Sequence, residues 1–571
     1  MSLHPQSMWN VPEETARVAR AAFPKGNPYM SMYDEMGALY RDEMFLSLFP
    51  RRGRPSTSPA RLALILVMQF TENLTDRQAA DAVRSRIDWK YALGLELADP
   101  GFDFSVLSEF RDRLLAGKAE QLVLEAMLAR FQERGLLKTC GRQRTDSTHI
   151  LAAVRSLNRL ELVGRTLQHT LNILAEHVPQ WIQTNVPPAW FDRYRRLIDE
   201  YRLPQQPDER RQLAETFGRD GVELLRAIDQ DEDLAEVRCL PAIEILRQVW
   251  DQQYQTEDEQ VQWREVKELS PSAERIASPH DLDARYSTKR SVTWVGYKAH
   301  LSETCDEDYP CLITHVETTP ATEDDGKALP RIHQELQAKD RLPREHFADT
   351  AYGSAEMLAQ SQIDFGVDLI CPVRGDVSWQ ALDAQAFDIT QFHIDWEAQQ
   401  VTCPQGHLSE HWIPAKGPRG RPTIEVQFHK EACRACPMRT RCTRSQDSPR
   451  GLTLHVREEH DALQQARQRQ ETAEFQRAYG RRAGIEGAIS QATVSREMRR
   501  SRYVGLKENA SSPCADCRLD ELDTRHSVVA GYTQSSNTSV TVCGPCTNLS
   551  GINQQHQLQT YPRGRSRPSK R

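Results

Sequence analysis

Three acidic residues stand where packing alone does not call for a carboxylate: Asp146 in RTDSTHI, Asp349 in HFADTAYGS and Glu486 in YGRRAGIEGAIS. The first two end segments that read as strands and the third lies on a segment that reads as helix, so all three could converge at one edge of a sheet. Hard divalent cations prefer oxygen ligands, and Mg2+ in particular keeps waters and is held by a few carboxylates together with substrate phosphates. Two such ions roughly 3.5–4 Å apart can activate a water or a 3′-hydroxyl and stabilise the leaving oxygen of an in-line phosphodiester displacement. Each acid also has an ordinary reading: an Asx-turn at Asp146, a cap for a helix starting near Ser354 at Asp349, and one more surface glutamate at Glu486. Tyr479, Arg482 and Glu486 fall at i, i+3 and i+7, which share one helix face, so Arg482 could reach a phosphate while Glu486 holds metal. Gly484 and Gly487 flank the acid, and glycine costs about 1 kcal/mol inside a helix, which points to a close approach there. His149, beside Asp146, reads as a packed or partnered histidine, because two-metal hydrolysis needs no protein base.

The thirteen cysteines are an odd number in a long chain without a secretory pattern, which favours thiols and metal ligands over disulfides. TCPQGH supplies Cys403, and EACRACPMRTRC supplies Cys433, Cys436 and Cys442. A Cys-x2-Cys with two further cysteines fits a tetrahedral zinc site that crosslinks a segment too small for its own core, with His407 as an alternative ligand. A second set, Cys514, Cys517, Cys543 and Cys546, has the cleaner zinc-ribbon spacing.

The elements that must position these groups follow from patterning. Residues 1–140 read as an all-helical domain, with Ser58, Thr75 and Ser105 as N-caps and Arg111 and Arg113 presented by the last helix of a helix-turn-helix-like module. Residues 141–374 read as an α/β core, with strands at 142–150, 293–304, 311–319, 345–352 and 367–373 and a helical insertion at about 155–280. Residues 375–455 form a Cys-rich, short-stranded insertion. Residues 456–508 return to the core through one long helix that carries the glutamate. Residues 509–571 lose apolar periodicity and read as a disordered or frame-shifted tail.

At 571 residues the chain is long enough for about three compact units. Its net charge of -7 hides segregation, since RRGR (51–54), RRSR (499–502) and RGRSRPSKR (563–571) are basic and local basic faces bind phosphates whatever the total. The longest apolar run, Leu62 to Phe70, is far short of the roughly 20 residues of a membrane span, so no membrane partner is expected. The cytoplasm is the expected location. No P-loop and no G-x-G-x-x-G follows a strand, so no nucleotide cofactor is expected. DEDYP (306–310) and TEDDGKA (322–328) read as acidic loops, one of them capping a helix.

Taken in order, DST at 146–148, DARYSTKRSVTWVGYKAHLSETCDED (283–308), TTPATEDDGKAL (318–329), ADTAYGS and the Y-x2-R-x3-E spacing of Tyr479, Arg482 and Glu486 resemble the DDE transposases of bacterial insertion sequences, and more closely their eleven-eighty-two family. The resemblance covers roughly residues 10–508. It implies a ribonuclease-H-like catalytic core, an N-terminal helical region that binds terminal inverted repeats, and Asp146, Asp349 and Glu486 as ligands of Mg2+ or Mn2+. It also implies Tyr479 and Arg482 in contact with DNA ends, double-stranded DNA as partner, a homodimer on DNA, and a nucleoid-associated location. Two departures stand out. Thr493 occupies the position where the signature has a lysine, so that role falls to Arg496 or Lys507 or is absent. After RYVGL the composition changes abruptly, which suggests a frame change near Lys507 and makes the tail cysteines a chance match. The alternative reading is a sequence-specific DNA-binding protein without catalysis, or a dead transposase copy.

Overall fold

A computed structural model describes residues 2–5, 9–117, 119, 121–196, 198, 202–257, 260–289, 291–495, 498–501 and 504–506. The N-terminal helices begin as their caps dictate. Ser58 accepts from the Arg61 N–H at the start of the nearly all-buried helix Pro59–Thr71, and Thr75 and Gln78 form a capping box for Asp76–Ser85. The third expected cap is displaced: Ser105 is the first residue of helix Ser105–Ala116, and Asp103 accepts its N–H instead.

Strand β1 (Arg142–Leu151) leads into helices Arg159–His177, Pro179–Asn185, Pro188–Tyr194, Pro207–Gln230 and Pro241–Gln253, closed by the hairpin β2 (Tyr254–Glu257) and β3 (Gln260–Trp263). This insertion has its own core, centred on Val163, Leu167, Phe217, Ile243 and Leu246. The sheet resumes with β4 (Arg285–Lys289), β5 (Val292–Thr304), β6 (Ile313–Pro320), β7 (Glu345–Phe347) and β8 (Asp368–Ile370). Long β5 pairs antiparallel with β1 along one edge and with β4 and then β6 along the other, while β7 runs parallel to β1 and β8 parallel to β7. Helix Asp325–Ala338 crosses between β6 and β7, and Ala355–Phe365 between β7 and β8. The strands read at 345–352 and 367–373 are shorter than expected, each only three residues long.

Side chains alternate across a strand, and the register sorts them. On one face Ile150 of β1 and Val295, Tyr297, Ala299 and Leu301 of β5 share a hydrophobic core with the N-terminal helices and with Ile485, Ile489 and Ala492. The expected 1–140 helical unit thus shares its core with the sheet. On the other face Leu329, Tyr352, Met357 and Leu369 build a smaller core.

The Cys-rich stretch contains β9 (His393–Asp395) paired with β10 (Gln400–Thr402), and β11 (Ser409–Lys416), β12 (Pro422–Phe428) and β13 (Gly451–His455) in one antiparallel sheet. The single long helix expected from residue 461 onward is instead Arg457–Gln470, Ala473–Tyr479, a 3-10 turn Gly480–Ala483, and Gly484–Ser495. Thr472 restarts the helix by accepting the Phe475 N–H. At the second break the Arg481 carbonyl accepts both the Gly484 N–H of the 3-10 turn and, at 2.6 Å, the Arg144 guanidinium.

Candidate active site

The two aspartates occupy equivalent places on neighbouring parallel strands. Pairing of β1 with β7 ends at Arg144 and Phe347, and Asp146 and Asp349 each stand two residues further on. Strand carboxyl ends are where open α/β sheets bind ligands. Asp146 is nevertheless not a strand terminus, because β1 continues to Leu151 through its ladder with β5, where Asp146 faces Leu301. At Asp349 the carboxylate accepts the Ala351 N–H at 2.8 Å in an Asx-turn, and Ser354, not Asp349, caps helix Ala355–Phe365.

Strand alternation sends Asp146 to the face covered by helix Gly484–Ser495. There Arg482 joins two of the expected acids: one guanidinium nitrogen lies 2.5 Å from Asp146 Oδ2 and another 2.5 Å from Glu486 Oε1. Asp146 and Arg482 are each only 14% exposed, whereas Glu486 is 63% exposed. Burial pushes the Asp146 carboxyl above its ordinary range; Arg482 and the Ser147 N–H oppose the shift and the nearby Asp349 adds to it. Arg482 is therefore turned inward to carboxylates and does not project as a phosphate contact. Tyr479 stacks on Phe475 with ring centroids 5.6 Å apart, beside Phe347 and Ile370. Its hydroxyl is held above its usual range by burial, with Asp349 and Asp146 contributing.

The opposite face of β1 carries supports that sequence reasoning missed. Ser147 donates to Asp325 Oδ2 at 2.8 Å, and Lys298 donates to Asp325 Oδ1 at 2.7 Å. Asp325, expected in an acidic loop, is instead a buried acid in the first turn of its helix; burial raises its pKa, but Lys298, with His300 and Lys289, opposes it and the net shift is downward. Fully buried Tyr352 lies 2.6 Å from His300 Nδ1, whose Nε2 is 3.1 Å from Thr319 Oγ1. Tyr352 thus ties the turn that follows Asp349 to His300 on β5, the register partner of Ser147. The available signal was the alternation itself, which places Ser147, Lys298 and His300 on the same side.

Arg144 is the second missed residue. Buried, it pairs with Glu303 at 2.6 Å, and a Cβ on Gly484 would fall 1.9 Å from its Nη1. Gly484 thus permits the close approach expected of it, although the neighbour is an arginine of the same chain; around Gly487 the space is open.

The remaining sequence candidates separate. Arg111 forms a bidentate ion pair with Asp76, at 2.9 and 2.5 Å, and Arg113 lies over the Phe49 ring at 5.0 Å, so both guanidiniums are committed to packing the helical region. His149 is set against Trp294 at 5.3 Å, as a packed histidine. Arg496, Lys507 and the tail cysteines lie outside the described residues. Thr493 bonds back to the Ser490 carbonyl on its own helix. Cys403, Cys433, Cys436 and Cys442 all line one small cavity in the Cys-rich sheet. Among the described residues, as they are arranged, no three His, Cys, Asp or Glu side chains stand close enough to hold a metal ion. At the acids, Arg482 occupies the space between Asp146 and Glu486; the donor set, carboxylates without thiol or imidazole, suits a hard cation once that guanidinium withdraws.

Beside the Asp349 turn opens a cleft of about 940 Å3, walled by Thr350, Ala351 and Gly353 to Met357 and by Lys289, Lys298, Lys327, Arg374, Arg421 and Arg467, with Asp324, Asp325 and Glu356 as its acids. In a chain of net charge -7 this is a local cationic surface drawn from the core, the Cys-rich segment and helix Arg457–Gln470.

Comparison with known families gives two matches. Residues 402–515 match the family described as a transposase DDE domain, and residues 18–113 match a transposase domain of the family DUF772. The first span contains Glu486 and the four insert cysteines, and both support a DDE transposase. No curated protein and no solved structure matches the chain.

Proposed function

We propose that this chain is an insertion-sequence transposase that binds terminal inverted repeats, cleaves phosphodiester bonds at element ends and transfers the freed 3′-hydroxyls to target DNA. The observation that carries the reading is the placement of Asp146 and Asp349 two residues past the last pair of adjacent parallel strands, with Glu486 reached through Arg482. The strand order β6-β5-β1-β7-β8, with β5 antiparallel to its neighbours, supports a ribonuclease-H-like core. Asp146, Asp349 and Glu486 would hold Mg2+ or Mn2+, and a pair of such ions supplies nucleophile activation and leaving-oxygen stabilisation.

The chain's own residues do the rest. Arg482 neutralises Asp146 and Glu486 before substrate arrives and is released to a DNA phosphate afterwards. The lysines and arginines of the adjoining cleft hold the phosphate backbone, whose affinity depends on such cations and falls with salt. Tyr479 and Arg496 complete the contacts to the ends, a homodimer pairs two ends, and the protein works at the nucleoid. No helix among the described residues is long and apolar enough to cross a membrane.

A second reading, a DNA-binding protein without catalysis, is favoured by the guanidinium bridge that closes the carboxylates. Asp146→Asn separates the two. It should abolish Mg2+-dependent cleavage and joining while sparing binding to the terminal repeats. Cleavage that survives this substitution refutes the catalytic assignment, and wild-type protein that binds ends but never cuts them supports the second reading.

A further inference from the structure

The Cys-rich segment has a small fully buried core, Phe392, Val401, Val426, Phe428, Leu452 and Leu454, with partly buried side chains such as Trp396, Trp412, Cys403, Cys433 and Cys442 packed on it. Segments with so small a core commonly need a crosslink. Four cysteines from three separate pieces of chain line one cavity of about 30 Å3, enough for a single ion or water, and all four thiols are free. Cys403 opens a tight turn in which Gly406, at φ +81°, donates to the Cys403 carbonyl at 2.8 Å and the His407 N–H lies 3.4 Å from Cys403 Sγ. An N–H aimed at sulfur stabilises a thiolate more than a thiol. Cys433 and Cys436 lie at i and i+3 across the end of helix Lys430–Ala435, and Cys442 ends the short helix Arg439–Cys442.

An independent observation points the same way. Arg439 and Arg450 line this cavity, and Arg439 Nη1 and Arg450 Nε are buried without an acceptor. Buried orphan donors cost about 1–3 kcal/mol each, more for charged groups. Two guanidiniums left short of acceptors around four thiols are the counter-charge that a doubly negative tetrathiolate centre would require.

We infer that Cys403, Cys433, Cys436 and Cys442 bind one structural Zn2+. The thiols line the cavity walls without meeting at a common point, so binding draws them inward. Each of the four S–H groups loses its proton to solvent and forms a Zn–S bond, and the centre's net charge of −2 faces Arg439 and Arg450. This inference does not depend on the catalytic reading, since a structural zinc would staple the segment in either case.

The test is elemental analysis of the full chain purified from zinc-supplemented culture. Cys433→Ser/Cys436→Ser should carry one zinc fewer than wild type, whatever the tail cysteines contribute, and Cys514→Ser/Cys517→Ser should leave the insert zinc in place. So that the test does not rest on the folding of the first variant, wild-type protein is also titrated with an organomercurial, which should release zinc as thiols are consumed. Chelator-stripped wild type should give a tetrahedral thiolate–cobalt spectrum with Co2+. Wild type without zinc, zinc content indifferent to Cys433 and Cys436, or a cobalt spectrum without thiolate charge transfer overturns the inference.

Discussion

Arg482→Gln removes the one cation that sits between two of the three expected metal ligands. The Asp146–Arg482 contact is 2.5 Å long and only 14% exposed on each side, so it counts as a charged hydrogen bond of about 1.5–3 kcal/mol. The Glu486 contact involves a carboxylate that is 63% exposed and contributes at most about 0.5 kcal/mol. A divalent cation entering the site must displace both, at a cost of roughly 2–3 kcal/mol. At about 1.4 kcal/mol per tenfold, removing the guanidinium should therefore tighten Mn2+ binding by roughly 30- to 140-fold in the absence of DNA. Free Mn2+ followed by electron paramagnetic resonance during titration reads this directly, and Arg482→Lys should fall between. Strand joining should slow in the same variant, because the released guanidinium is assigned to a phosphate. The pH dependence has a definite sign. Burial already raises the Asp146 carboxyl and Arg482 opposes that rise, so without Arg482 the carboxyl goes higher still and protons compete better. The gain in Mn2+ affinity should be full near neutral pH and shrink on acidification. Mn2+ binding that is unchanged or weaker in Arg482→Gln would show that the guanidinium does not compete with the cation, and the bridging argument would fail.

Two glycines of one helix should respond in opposite directions. Gly484→Ala forces a Cβ into the Arg144 guanidinium and should lower stability by about 1–3 kcal/mol, whereas Gly487→Ala meets open space and should raise it by about 0.5–1 kcal/mol, both read from thermal or denaturant melts. Burial depresses His300 and His333 to about 4, well below the unfolded value near 6.5. Unfolded chains then bind more protons across that interval, so stability is full above about 6.5 and falls as pH drops toward 4, by about 3 kcal/mol for each histidine. Melting temperatures that stay flat from pH 7 to pH 4 would contradict the neutral, buried assignment.

The elements that carry the candidate site were legible where their signals are local in sequence. Ser58 and Thr75 cap their helices because a side-chain oxygen beside its own chain's N–H groups needs no tertiary partner. The strand at 142–151 and the long strand at 292–304 were visible from their alternation. Where reading failed, a distant residue intervened. The helix expected through Tyr479 and Glu486 gives way to a 3-10 turn at Gly480–Ala483, where the Arg481 carbonyl also takes Arg144, 337 positions away. Arg111 and Arg113, readable as a basic pair, each have a partner within the helical region that the sequence did not announce, Asp76 and the Phe49 ring. Asp325 looked like loop acid because its partners, Ser147 and Lys298, are 178 and 27 residues away.

By itself the sequence determined the kinds of groups available: carboxylates at the ends of strand-like and helical segments, cysteines in metal-binding spacing, and the motifs shared with DDE transposases. Tertiary structure alone decided how those groups are used. Register on β1 sends Asp146 to one face and Ser147 to the other, so one residue meets Arg482 while its neighbour is tied to Asp325. The physical reason is that composition and spacing specify what a side chain can do, whereas burial and the nearest opposite charge, both products of long-range packing, determine its protonation and its partner.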